Sequence, residues 1–132
     1  MIIGLDVHGV ITSAPETFRR FCIWAREKVG AKVYIISGPP KHEVVEEITR
    51  LGFIEGVHYD KVFSVVDYLR ATCVDMWQDK KGTWWAEDDN WWSSKAIICK
   101  TEGVDIHIDD SLNYGDYFNY IDARFVHWQR KG

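Results

Sequence analysis

The feature that most narrows the fold recurs along the chain: a short, apolar, β-rich run stops at an acidic or small residue, and a stretch of helical periodicity follows. The first instance is Met1-Ile2-Ile3-Gly4-Leu5, cut off at Asp6 and reaching a glycine at Gly9. Such a run reads as a buried strand that delivers a carboxylate to a turn at its end. Ser13-Ala14-Pro15-Glu16 then combines a capping-box spacing with a proline for the first helical turn, and Phe18, Phe21, Cys22, Ala25 and Val29 recur on one face. The spacing predicts a helix over Pro15 to Val29, closed by Gly30. Lys32 to Ile36 is a second buried strand, ending at Ser37-Gly38, and the three segments form a βαβ unit.

The alternation continues. Pro39-Pro40 opens a helix whose buried face is Val44, Val45, Ile48 and Leu51 and which stops at Gly52. Val62 to Val66 is a third strand, although Val65, Val66, Tyr68 and Leu69 also fit the opening of a helix. Between Val74 and Glu87 the pattern changes to a hairpin, with Asp79-Lys80-Lys81-Gly82 as the turn and tryptophans flanking it. Asp88 or Asp89 caps a helix to Lys100 that carries Trp92, Lys95, Ala96 and Cys99 on neighbouring turns. Val104 to Ile108 then ends at Asp109-Asp110-Ser111, and Arg124 to Trp128 is the last strand. The expected class is α/β: a mostly parallel sheet of about five strands, covered by helices on both faces in a three-layer, Rossmann-like arrangement. With 132 residues, 46% of them apolar, the chain suits one core, so residues 1–132 form a single domain with 74–87 as a small Trp-rich flap.

A net charge of -4 argues against extended nucleic-acid binding, which needs a basic stripe. Cys22, Cys73 and Cys99 are odd in number, widely spaced and set among apolar residues, so they read as buried thiols rather than a disulfide framework or a zinc site. The first strand begins by Ile2, leaving no room for a secretory leader, and no apolar run nears the roughly 18 residues of a membrane span. The expected location is the cytoplasm.

The run Asp6-Val7-His8-Gly9-Val10-Ile11-Thr12 resembles the first motif of the haloacid dehalogenase-like (HAD) superfamily, written DxDGxxT, with His8 where the second aspartate stands. Ser37, Lys95 and the pair Asp109-Asp110 match the order and structural context of the superfamily's other motifs, so the resemblance covers nearly the whole chain. It implies a HAD-like fold with strand order 3-2-1-4-5, in which the strands ending at Asp6 and Asp109 are adjacent. It also implies a Mg²⁺-dependent phosphatase acting on phosphate monoesters, with Asp6 as nucleophile and metal ligand. Asp110, in preference to Asp109, completes the ligand set, and the other acid holds a metal-bound water or orients Lys95. Ser37 and the Gly38 N–H hold phosphate oxygens, and Lys95 balances charge. These residue types suit the chemistry, because phosphoryl transfer rests on positioning and charge neutralisation. Two adjacent acids also repel one another unless a cation joins them.

In that family the residue at position 8 gives a backbone carbonyl to the metal and a carboxyl as general acid/base. His8 keeps the carbonyl, so the implied metal set is Asp6, His8, Asp109 and Asp110. Its imidazole, with an unperturbed pKa of about 6.5, leaves three roles open. It is a working acid/base; or it marks a binding or regulatory descendant that keeps the metal and phosphate pockets; or it serves another leaving group. Losing acid/base help altogether costs roughly 10²- to 10⁴-fold in rate.

Five of the seven tryptophans, Trp77, Trp84, Trp85, Trp91 and Trp92, fall on the hairpin and the start of the next helix, so this segment has a concentrated role. Two roles fit: packing the hairpin down or forming a homodimer contact, and a stacking platform for a flat ligand such as a nucleotide or a nucleic-acid end. In the HAD-like family this interval is a site of cap insertion, so a mere hairpin implies a lightly covered site for a phosphorylated small molecule or nucleotide. His107, alternating with Val104, Ile106 and Ile108, reads as a hydrogen-bonded structural residue, and His42, His58 and His127 lack metal-ligand spacing.

Overall fold

The computed structural model describes residues 1–129. The order is β1 (Ile2–Leu5), α1 (Pro15–Trp24) running into a π-helical turn at Ala25–Val29, β2 (Lys32–Ser37), α2 (Lys41–Arg50), β3 (Lys61–Ser64) and α3 (Val65–Ala71). There follow β4 (Met76–Gln78), β5 (Trp84–Ala86), α4 (Asp88–Glu102), β6 (Ile106–Asp109), α5 (Leu112–Gly115), a 3₁₀ turn at Asp116–Tyr120, and β7 (Arg124–His127). Five strands form one sheet in the order β3-β2-β1-β6-β7, every neighbouring pair parallel. With the separate antiparallel hairpin β4-β5 left out of the count, this is the 3-2-1-4-5 order.

Both faces of the sheet are covered, as a parallel sheet requires. On one side Phe18 and Cys22 of α1 and Val44 and Ile48 of α2 pack with Ile3, Leu5, Val33, Ile35 and Val62. On the other, Val66 and Leu69 of α3, Ala96 and Cys99 of α4, and Tyr114 of α5 pack with Tyr34 and Ile36. The result is an α/β/α sandwich consistent with a Rossmann-like architecture. Among the described residues no helix is long and apolar enough to cross a membrane.

Local details depart from the sequence expectation where a side chain found a better partner. Ser13 does not cap α1: it sits in a 3₁₀ turn, Ile11–Ser13, its Oγ donates to the Val10 carbonyl at 2.6 Å, and Ala14 precedes the helix without a side-chain cap. Neither Asp88 nor Asp89 caps α4; Glu87 takes that position, also without a side-chain bond, and Asp89 accepts from the Tyr117 hydroxyl at 3.0 Å. The third strand ends at Ser64, whose Oγ accepts the Asp67 N–H at 3.0 Å and starts α3, so Val65 and Val66 belong to the helix. Cys22 and Cys99 are buried, and burial pushes each thiol up to about 12. Cys73 corrects the expectation of three buried thiols: it is exposed, at φ 59° just after α3.

Candidate active site

The chain builds β1, β2 and β3 outward on one side, then returns to place β6 on the other side of β1. That reversal between β1 and β6 is a topological switch point, and the crevice beyond the carboxyl ends of the strands there is where open α/β sheets bind ligands. The two strands put Asp6 and Asp109 at this edge, tied by Leu5↔Ile108 pairing and an Asp6 N–H bond to the Ile108 carbonyl at 3.0 Å.

Lys95 joins them. From a buried turn of α4 its Nζ donates to Asp6 Oδ1 at 3.0 Å and to Asp109 Oδ2 at 2.7 Å, while lying 4.2 Å above the centre of the Tyr114 ring. Tyr114 is held in turn by Trp91, whose Nε1 donates to its hydroxyl at 3.0 Å. The ammonium is thus enclosed by two carboxylates and an aromatic face. Burial works against its charge, but Asp6 first, then Tyr114 and Asp109, raise its pKa well above the ordinary lysine value.

The two carboxylates that share Lys95 are not equivalent. Burial drives Asp6 up to about 7; Lys95 opposes this, and the neighbouring charge of Asp109 adds to it. Asp109 is buried too, yet its pKa is held below the usual carboxylate range by Lys95 and by the hydrogen bond from His107. The difference lies in the donors: Asp109 also accepts His107 Nε2 at 2.9 Å and the Ser111 N–H at 3.0 Å. Carboxylate oxygens of Asp6, Asp109 and Asp110 lie within 4.8 Å of one another, a spacing at which they can hold a metal ion. Carboxylates this close repel one another when ionised, and Lys95 supplies a single positive charge.

Of the remaining sequence-derived residues, Ser37 ends β2 with its Oγ buried and without a hydrogen-bond partner. Gly38 follows, and a Cβ there would meet the Trp91 ring at 3.4 Å, so the ring packs over bare backbone. The His8 imidazole is half exposed, with Nε2 2.7 Å from Glu47 of α2, and is not part of the Asp6-Asp109-Asp110 cluster. It lies on the rim of two cavities. One, of about 760 Å³, is walled by Thr12, Thr17 and Trp128. The other, of about 440 Å³, lies between α2 and the hairpin and is walled by Gly38, Glu47, Trp84 and Trp91. Neither is lined by the buried carboxylates.

The tryptophans divide. Trp91 and Trp92 pack around Tyr114, and Trp84 carries the Arg70 guanidinium 4.3 Å from its ring centre. Trp77 and Trp85, paired across the hairpin, stay exposed, Trp85 donating its Nε1 to Asp79 at 3.0 Å. Sequence reasoning missed Tyr114 and the part His107 plays beside Asp109. The signal for the latter was Gly4, an interior strand glycine of the kind that marks close approach by another group. No protein-family model matches the chain, and no curated protein matches it at significant similarity.

Proposed function

We propose that this chain is a Mg²⁺-dependent phosphohydrolase of the HAD-like kind, cleaving phosphate monoesters through an aspartyl-phosphate on Asp6. The observation that carries the reading is the convergence of Asp6, Asp109 and Asp110 within 4.8 Å at the sheet's switch point, with Lys95 bonded to Asp6. An all-oxygen, all-carboxylate donor set suits a small hard cation. Asp6 and Asp110, with the His8 carbonyl, would hold it, while Asp109 is engaged mainly by Lys95, His107 and Ser111. Bound there, Mg²⁺ would neutralise phosphate oxygens and favour the ionised form of Asp6 against its burial.

In this reading an Asp6 oxygen attacks phosphorus as the bond to the leaving oxygen breaks, and that oxygen takes up a proton. Water then attacks the acyl phosphate, releasing inorganic phosphate and restoring the carboxylate. Lys95 balances the charge of nucleophile and phosphate, and Ser37, whose buried hydroxyl lacks a partner, is suited to a phosphate oxygen beside the Gly38 N–H. The cavity walled by Trp84 and Trp91 fits a flat substrate body such as a nucleoside, whereas Glu43, Glu46 and Glu47 outnumber Arg50 and Lys81 in the same wall and disfavour long polyanions. The exposed Trp77-Trp85 pair is a candidate homodimer contact. Unpaired Cys22 and Cys99 accord with a reducing, cytoplasmic setting.

The test is turnover of a chromogenic phosphate ester with Mg²⁺ between pH 5 and 8. Hydrolysis that is lost with a chelator and in Asp6→Asn is the expected result; no turnover at any pH, with Asp6→Asn indistinguishable from wild type, would refute it. One observation favours a second reading, a binding module that keeps the metal and phosphate pockets: His8 is turned to Glu47 at 2.7 Å. That reading gives thermal stabilisation by phosphate and Mg²⁺ without turnover. His8→Asp separates the roles of the imidazole, since a large gain in rate shows that the histidine was not an effective acid.

A further inference from the structure

We propose that His107 is a positioning residue, which holds Asp109 in the one orientation that aims Lys95 at Asp6. The inference rests on the phosphohydrolase reading for its consequence but on separate geometry for its content.

His107 lies in the middle of β6, fully buried, directly across from Gly4 of β1. Its ring is stacked on Phe118 with centres 5.8 Å apart and planes 6° from parallel. Gly4 makes this placement possible, because a Cβ at that position would lie 2.8 Å from Nδ1. Nδ1 is buried without a hydrogen-bond partner, whereas Nε2 is 2.9 Å from Asp109 Oδ2. An ionised carboxylate only accepts, so Nε2 carries the hydrogen and donates it. A buried polar atom left unpartnered is unfavourable, and it persists where something else fixes the ring. Here the fixing bond is the one to Asp109.

That bond determines what Asp109 does. Oδ1 is taken by the Ser111 N–H, and Oδ2 receives both His107 and Lys95. The His107 bond holds Oδ2 in place independently of the ammonium, and Lys95, at 2.7 Å from that oxygen, sits 3.0 Å from Asp6 Oδ1. Without His107, Lys95 and the Ser111 N–H remain of these three donors, and Oδ2 is free to move with the ammonium and draw it away from Asp6. His107 touches neither Lys95 nor Asp6 by hydrogen bond and acts through Asp109.

The experiment compares His107→Phe with His107→Gln. Phenylalanine keeps a ring against Phe118 and also removes the unpartnered Nδ1, while glutamine restores an N–H donor near the Nε2 position. Outer hydrogen-bond partners of such sites are worth about 10- to 100-fold in affinity or activity, so kcat with the chromogenic ester falls by that factor in His107→Phe, KM changes by less than about threefold, and His107→Gln recovers most of the loss. A merely structural histidine gives a different result: altered thermal stability with kcat unchanged. Wild-type kcat in His107→Phe, or equal losses in both variants, would overturn the proposal. His107→Leu makes the same comparison if the phenylalanine protein does not fold. A second readout does not depend on turnover. In ¹⁵N-lysine-labelled protein the locked Lys95 ammonium gives a slowly exchanging Nζ–H signal, which is lost in His107→Phe and kept in His107→Gln. An unchanged signal in His107→Phe refutes the positioning role. If wild type lacks phosphatase activity while this pattern holds, the phosphohydrolase reading fails and the positioning role stands.

Discussion

Lys95→Met puts the central charge arrangement to the test. Methionine is similar in length and apolar, so it fills most of the same space while removing the ammonium. The wild-type side chain is 2% exposed, and its two partners are 9% and 0% exposed, so solvent cannot take over the lost charge. Removing one member of a buried ion pair costs about 3–5 kcal/mol, because the remaining charge is left uncompensated. At roughly 3–5 °C per kcal/mol for a domain of this size, Tm drops by about 9–25 °C. The loss must also depend on pH. Burial already raises Asp6 to about 7, and Lys95 is the leading influence that opposes that rise. A carboxyl whose folded pKa exceeds its unfolded value contributes stability below the unfolded value and loses it as pH rises through the folded one. In Lys95→Met, Asp6 rises further and escapes the penalty at low pH by keeping its proton. The deficit is therefore larger at pH 8 than at pH 5, and adding Asp6→Asn recovers much of it at pH 8. Urea unfolding with a chelator at both pH values measures each quantity. A loss below about 1 kcal/mol, equal losses at the two pH values, or a double variant no more stable than the single one would each refute the reasoning.

Three further outcomes are expected. The Arg26 guanidinium binds Asp60 through Nε at 3.1 Å and Nη2 at 2.8 Å, and the Val33 N–H adds a bond at 2.8 Å. These bonds, Arg26's first, lower the Asp60 pKa from 3.8, so its contribution is present above that value and lost as pH falls through the folded one. Asp60→Asn then costs about 1–3 kcal/mol at pH 7 and flattens the acid limb of the stability profile, read by denaturant titration from pH 2 to 7. In Gly4→Ala the new Cβ meets His107 Nδ1 at 2.8 Å and Ile36 Cδ1 at 3.0 Å. Overpacking costs about 1–3 kcal/mol in denaturant unfolding, and adding His107→Ala recovers part of it, whereas additive losses would argue against the contact. Exposed Cys73 is alkylated quickly by iodoacetamide under native conditions, while Cys22 and Cys99 react only on unfolding; mass spectrometry of the native protein showing label on Cys99 would contradict the burial.

Much of the framework was legible in the chain itself. Buried parallel strands are short and apolar throughout, so β1 and β2 announce themselves, and Asp6 and Ser37 are conspicuous because each breaks such a run. Lys95 was harder to read, since a lone lysine on a helix is ordinarily solvated; its burial follows from lying opposite two strand-end carboxylates that are separated from it in sequence. The caps were misread for a physical reason: Ser13 and Asp89 have polar side chains with several partners in reach, and tertiary neighbours rather than local spacing chose among them.

The sequence alone determined that the strands β1, β2 and β6 run out at Asp6, Ser37 and Asp109, because apolar periodicity and its interruptions are local, whereas the end of β3 was set by the Ser64 cap. Only the tertiary structure decided how those groups share the charge. It set Asp109 beneath three donors and Asp6 beneath one cation, turned His8 toward Glu47, and laid His107 over a glycine one strand away. Such assignments depend on distances between residues far apart in the chain, and in a buried site those distances fix which carboxyl keeps its charge.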